Sequence, residues 1–159
     1  MDTDSIQEKN PASNSGRTPL HAAAANGNYE IFQLIMDTDS IQEKNPPAGR
    51  GNTPLHEAAE MGHYEICQLI LDQESIQEKN PAANDGFTPL HLAATYGRGR
   101  PESYLKICKA ILDIVEEKAP LTERGETPLQ LAETRHGKDS DISRLIRSYL
   151  RRDSATNGN

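Results

Sequence analysis

The tetrapeptide Thr-Pro-Leu-His occurs at Thr18–His21, Thr53–His56 and Thr88–His91, and an altered fourth copy reads Thr127-Pro128-Leu129-Gln130. The copies are 35, 35 and 39 residues apart. No other property constrains the fold as much. A unit of this size cannot bury its own apolar face, so units must stack on one another. A stack presents a long open surface and no enclosed pocket, which points to binding and away from catalysis.

The chain of 159 residues divides into about four such units. Only 35% of residues are hydrophobic, with five Tyr, two Phe and no Trp. That supply cannot fill a wide spherical core, but Ala, Leu and Ile suffice for the thin layer between stacked helix pairs. The spacing places the units at 6–40, 41–75, 76–117 and 118–152 in one repeat domain. Residues 153–159 are small and polar, and a disordered tail is expected there.

Local logic within a unit is consistent. Thr18 is placed to cap a helix, and Pro19 sits at the first helical position, where its missing N–H costs nothing. Leu20, Ala23 and Ala24 follow at helical spacing, and Asn26-Gly27 supplies a stop. A second helix starts near Asn28 or Tyr29, with Ile31, Leu34 and Ile35 on one face. The second unit repeats this with Thr53, Pro54, Leu55, Ala58, Ala59 and Gly62, then Ile66, Leu69 and Ile70. In the third, Thr88, Pro89, Leu90, Ala93, Ala94 and Gly97 precede Ile107, Ala110, Ile111 and Leu112. Cys67 and Cys108 fall where the first unit has Phe32, so both read as reduced, packed thiols. Polar linkers such as Gln42-Glu43-Lys44-Asn45-Pro46 end in turns at Gly16, Gly51, Gly86 and Gly125.

The pattern Gly-x-Thr-Pro-Leu-His-x-Ala-Ala-x-x-Gly, followed by a Glu-Ile-x-x-Leu-Ile helix, resembles the ankyrin repeat across about Asn10 to Arg152. The resemblance implies an all-α fold, an α-solenoid of helix–turn–helix units joined by β-turn linkers. It also implies protein–protein recognition through the turn tips and inner helices of a concave face. The chain departs from the family pattern in three ways. Two residues are added after the second helix of the first two units, where Ile6, Ile41 and Ile76 are expected to tuck against the stack. About six are added in the third unit, around Gly97 to Glu102. The fourth has Gln130 for His, Glu133 for Ala and a longer turn near His136–Asp141, as suits a terminal cap. Arg147, Arg151 and Arg152 are expected near the end of its last helix, complementing the helix dipole.

Met1–Pro11 is identical to Met36–Pro46. The chain thus opens where an earlier unit's second helix would finish, which suggests a fragment of a longer array or a recent duplication. A first unit without a neighbour is also a candidate for self-association.

Little in the sequence carries chemistry. Thr18–His21, Thr53–His56 and Thr88–His91 pair a capping Thr with an imidazole three residues on, and Thr127 keeps the cap. The three His lie a full unit apart, so a ladder bracing the turns fits better than a metal cluster. No nucleophile elbow or phosphate loop appears, so neither an enzyme nor a cofactor is expected. A net charge of −7 argues against nucleic acid. No signal peptide or ~18-residue apolar span is visible, which leaves cytoplasm or nucleus as the expectation.

The resemblance places recognition on residues flanking the turn glycines and on the ends of the inner helices. Here these are Arg17, Asn26, Arg50, Asn52, Glu60, Met61, Asp85, Phe87, Thr95, Tyr96, Arg124, Glu126 and Arg135. Met61, Phe87 and Tyr96 are expected to project together as an apolar patch, with charged residues forming its rim. Asn10, Asn45 and Asn80 match the family's linker Asn, a class of hydroxylation site. The alternatives to a binding module are a spacer within a longer array, or a regulatory segment of an enzyme or channel.

Overall fold

The computed structural model describes residues 11–38, 41, 43–97 and 101–156. Among them are eight helices and no strand. They run α1 Pro19–Asn26, α2 Tyr29–Met36, α3 Pro54–Met61, α4 Tyr64–Leu71, α5 Pro89–Tyr96, α6 Pro101–Ile114, α7 Pro128–His136 and α8 Asp141–Thr156. The odd-numbered helices pack successively on one another, and the even-numbered ones form a second layer. The chain is an all-α helical repeat solenoid. No described helix is long and apolar enough to cross a membrane.

The repeated residues explain the stacking. Leu20, Leu55 and Leu90 are each 0% exposed, and the Ala pairs beside them are also buried. Small side chains let neighbouring helices approach, while each Leu contributes about 1.5–3 kcal/mol by leaving water. Phe32, Cys67 and Cys108 occupy one equivalent core position, and all are fully buried. Both thiols are free. Burial raises their pKa values, that of Cys108 to about 12, so they sit as neutral packing groups.

The apolar face of α2 is only partly covered. In α2 the structure buries Phe32 and Met36 but leaves Ile31 53% and Leu34 73% exposed. Ile35 is half-buried against the core. The reason is position in the stack. In α4, which packs on α2, the matching Ile66 is buried and Leu69 half-buried. Nothing among the described residues covers α2 in the same way.

Beyond α2 the Ile41 N–H bonds the Thr38 carbonyl, and beyond α4 the Ile76 N–H bonds that of Gln73, both at 3.1 Å. Ile41 is buried and Ile76 packs against the core, as expected; Ile6 lies outside the described residues. The third unit departs from the repeated stop. Gly62 ends α3 in the left-handed region at φ 74°, but Gly97, which ends α5, has φ −53°.

The expected disordered tail begins too early. α8 continues through Asp153 to Thr156, with Asp153 3.6 Å from the Lys118 ammonium and Ser154 Oγ bonded to the Leu150 carbonyl. Because the helix runs on, Arg147, Arg151 and Arg152 do not occupy its last turn. Arg147 instead ion-pairs with Glu133 of α7, and the Arg152 guanidinium lies 5.3 Å from the Tyr149 ring centre.

Candidate functional site

The turn tips are built by the chain's own backbone. In the first tip, Ser13 N–H bonds the Arg17 carbonyl at 2.7 Å and Gly16 N–H bonds that of Ser13 at 2.8 Å. Successive tips are then tied together. Gly49 N–H reaches the Ser15 carbonyl at 2.8 Å, Asn84 N–H that of Arg50 at 3.0 Å, and Glu123 N–H that of Asp85 at 3.0 Å. Side chains on the tips are therefore presented from a continuous, hydrogen-bonded edge.

The capping His residues carry the second set of ties. Nδ1 of His21, His56 and His91 accepts the backbone N–H of Thr18, Thr53 and Thr88 respectively, each at 3.1 Å. Nε2 lies 3.0 Å from the Asn52 carbonyl, 3.1 Å from that of Phe87 and 3.1 Å from that of Glu126, in the same order. A carbonyl only accepts, so Nε2 carries the proton and each ring is neutral. Every imidazole thus braces its own helix start and grips the next unit's turn. Burial pushes all three pKa values down, that of His56 to about 4, against a partial opposing effect of the carbonyl bond. Gln130 reproduces only the first half, its Oε1 accepting Thr127 N–H at 2.8 Å.

A further ladder was not legible in the repeated motif. His63 Nε2 bonds the Ala25 carbonyl at 3.2 Å, the Tyr104 hydroxyl donates to that of Glu60 at 2.7 Å, and His136 Nε2 bonds that of Ala94 at 3.1 Å. Each satisfies a carbonyl near the C-terminal end of the odd-numbered helix of the preceding unit. Two residue types at three irregular positions do the same job, so no sequence period announces it.

Asn45 and Asn80 also hold the scaffold. Their Oδ1 atoms accept the N–H of Leu55 and Leu90, each at 3.0 Å, tying linker to helix start. The fourth linker has Ala119 at the matching place. Asn10 lies outside the described residues.

The structure sorts the other candidates into engaged and exposed groups. Arg17 ion-pairs with Glu57, joining the first tip to α3. The Asn26 amide bonds the Ala22 carbonyl at 2.9 Å, and Thr95 Oγ1 bonds that of His91 at 2.7 Å. Asp85 Oδ1 accepts Phe87 N–H at 3.1 Å. Phe87 does not project as expected. It is half-buried, its ring centre 5.6 Å from that of His91, because the turn folds it onto its own unit's imidazole. Asn52 and Glu126, both half-buried, lend their carbonyls to the His ladder. Arg50, Arg124 and Arg135 are exposed.

Two large apolar side chains remain open, Met61 at 51% and Tyr96 at 42%. They hold the same place, eight residues after the capping Thr, on α3 and α5, which pack together. Glu60 beside Met61 is half-buried and has no ion-pair or hydrogen-bond partner for its carboxylate among the described residues. Burial, then the neighbouring Glu57 charge, raises its pKa. An open groove of about 400 Å³ runs between the first two tips, past Arg17, Arg50, Asn52 and Glu57. Among the described residues, no three His, Cys, Asp or Glu side chains converge as metal ligands would.

A family model described as ankyrin repeats (three copies) matches residues 3–80 and 41–120. The two matches overlap and together cover most of the chain. No curated protein matches the sequence significantly.

Proposed function

The chain belongs to the ankyrin repeat family, whose members generally act as protein–protein interaction modules, and we propose that this one binds a partner protein or peptide through a concave face formed by the tips and odd-numbered helices. Met61 and Tyr96 carry this reading. Both are large, exposed and mounted side by side on helices whose other faces are locked into the core. A rigid scaffold loses little entropy on binding, so contacts at such a pair convert efficiently into affinity. The charged tips, Arg50 and Arg124 among them, would steer encounter and set register.

The test is selection of peptides from a displayed random library against the full chain. Tyr96→Ala and Met61→Ala should each weaken the selected binders about tenfold or more. The melting temperature should stay within a degree or two, since neither side chain is part of the core. Binders that retain full affinity for both variants would place recognition elsewhere.

Exposed Ile31 and Leu34 favour a second, compatible reading, in which α2 offers a contact surface for another copy of the chain. Light scattering should then show mass rising with concentration, and Leu34→Glu should return it to the monomer value. An unchanged monomer mass at about 1 mM would remove this reading.

A further inference from the structure

The exposed rows of α1, α3, α5 and α7 differ sharply in charge. Carboxylates occur on these helices only at Glu57, Glu60 and Glu133. Glu57 is neutralised by Arg17 and Glu133 by Arg147. Among the described residues Glu60 alone of the three has no cation, and it adjoins the open Met61. The equivalent places on α1 are Ala25 and Asn26, and on α5 Thr95 and Tyr96, so neither neighbour supplies or duplicates the charge.

Packed helices stand about 8–10 Å apart, and an extended chain advances about 3.3 Å per residue. One unit therefore corresponds to about three ligand residues. Resting on the concave-face reading, we propose that the second and third units bind an extended peptide segment bearing a Lys or Arg over Glu60 and, about three residues away, a large apolar side chain against Met61 and Tyr96. Charge complementarity selects this occupant. A cation gives the Glu60 carboxylate the partner it lacks among the described residues, whereas an acidic segment would be pressed against it. The apolar side chain covers two surfaces that water now touches. Burial of Glu60 strengthens the preference, because a partly desolvated carboxylate gains more from a cation than a solvated one does.

Methionine methyl NMR on the full chain reads this directly. Met61 is half-exposed and Met36 is 1% exposed, so one reports on the face and the other on the core. The probe is a synthetic octapeptide of Gly, Ser and Ala carrying one Arg and, three positions on, one Leu, in both orders. It should shift the Met61 methyl saturably and leave Met36 in place. Replacing its Arg by Glu should weaken binding about tenfold. In the Glu60→Gln protein that discrimination should fall to about threefold or less.

An acidic peptide that shifts Met61 equally well, or discrimination that survives Glu60→Gln, overturns the charge assignment while concave-face binding stands. No Met61 shift from the Arg–Leu peptide at about 5 mM overturns the segment itself. The broader reading then still rests on whether library-selected binders depend on Tyr96.

Discussion

His56→Ala should lower the unfolding free energy by about 3–4 kcal/mol, because it strands three buried groups at once. The imidazole accepts Thr53 N–H at 3.1 Å, contacts the Thr53 hydroxyl at 3.0 Å and donates to the Phe87 carbonyl at 3.1 Å. Each group left without a partner costs about 1–3 kcal/mol, and the position is 1% exposed, so water cannot substitute freely. Gln130 shows what an amide can recover: it caps its Thr at 2.8 Å. His56→Gln should therefore cost about half as much, restoring the helix start but not the tie to the next turn. Urea unfolding followed by circular dichroism gives both numbers. Equal losses in the two variants would mean that the tie to the Phe87 carbonyl accounts for the whole effect.

The same ring sets an acid limit. Its folded pKa is about 4 against an unfolded value of 6.5. The native state thus favours the neutral form, and the stabilisation is complete above about pH 6.5 and is lost as pH falls toward 4. That interval corresponds to about 3 kcal/mol for His56 alone. His21 and His91 are shifted the same way. Glu60 opposes them weakly, since its raised pKa means that acid relieves its burial. Stability measured between pH 7 and 4 should fall steeply in the parent protein and by about 3 kcal/mol less in His56→Ala. Parallel pH curves for the two proteins would show that His56 does not titrate in this range.

Most of the scaffold was legible because its residues repeat. Thr, Pro, Leu, His and the Ala pair must satisfy one geometry in each unit, so period alone exposes their roles. The exposure of Ile31 and Leu34 could not be read from their spacing, since helical spacing identifies an apolar stripe but not whether a neighbour covers it. The end of α8 was misplaced because Asp153 is anchored by Lys118, a contact 35 residues away in the chain. Met61 and Tyr96 were recognisable as exposed, yet Phe87 was not recognisable as folded onto His91. That distinction depends on turn geometry, which composition at a tip does not encode. The His63, Tyr104 and His136 ladder was invisible for a related reason: a hydroxyl and two imidazoles reach equivalent carbonyls from different sequence offsets.

That ladder makes the second large prediction. Gly62→Ala should destabilise the fold by about 3 kcal/mol, while Gly125→Ala should cost about 1 kcal/mol. The two glycines share a φ of 74°, so the intrinsic penalty for a side chain at positive φ is common to both. Their surroundings differ. A Cβ on Gly62 would stand 2.8 Å from Tyr104 Cε2 and 2.9 Å from Cζ, whereas one on Gly125 meets nothing within 4 Å. Tyr104 is only 6% exposed and its hydroxyl is held by the Glu60 carbonyl, so the ring cannot swing aside without breaking that bond and disturbing the core. The excess of about 2 kcal/mol is thus the cost of displacing Tyr104. A double-mutant cycle isolates it. In a Tyr104→Ala background, Gly62→Ala should cost no more than Gly125→Ala does in the parent. If Gly62→Ala and Gly125→Ala prove equally mild in the parent chain, the Tyr104 ring is not a rigid tie between the second and third units.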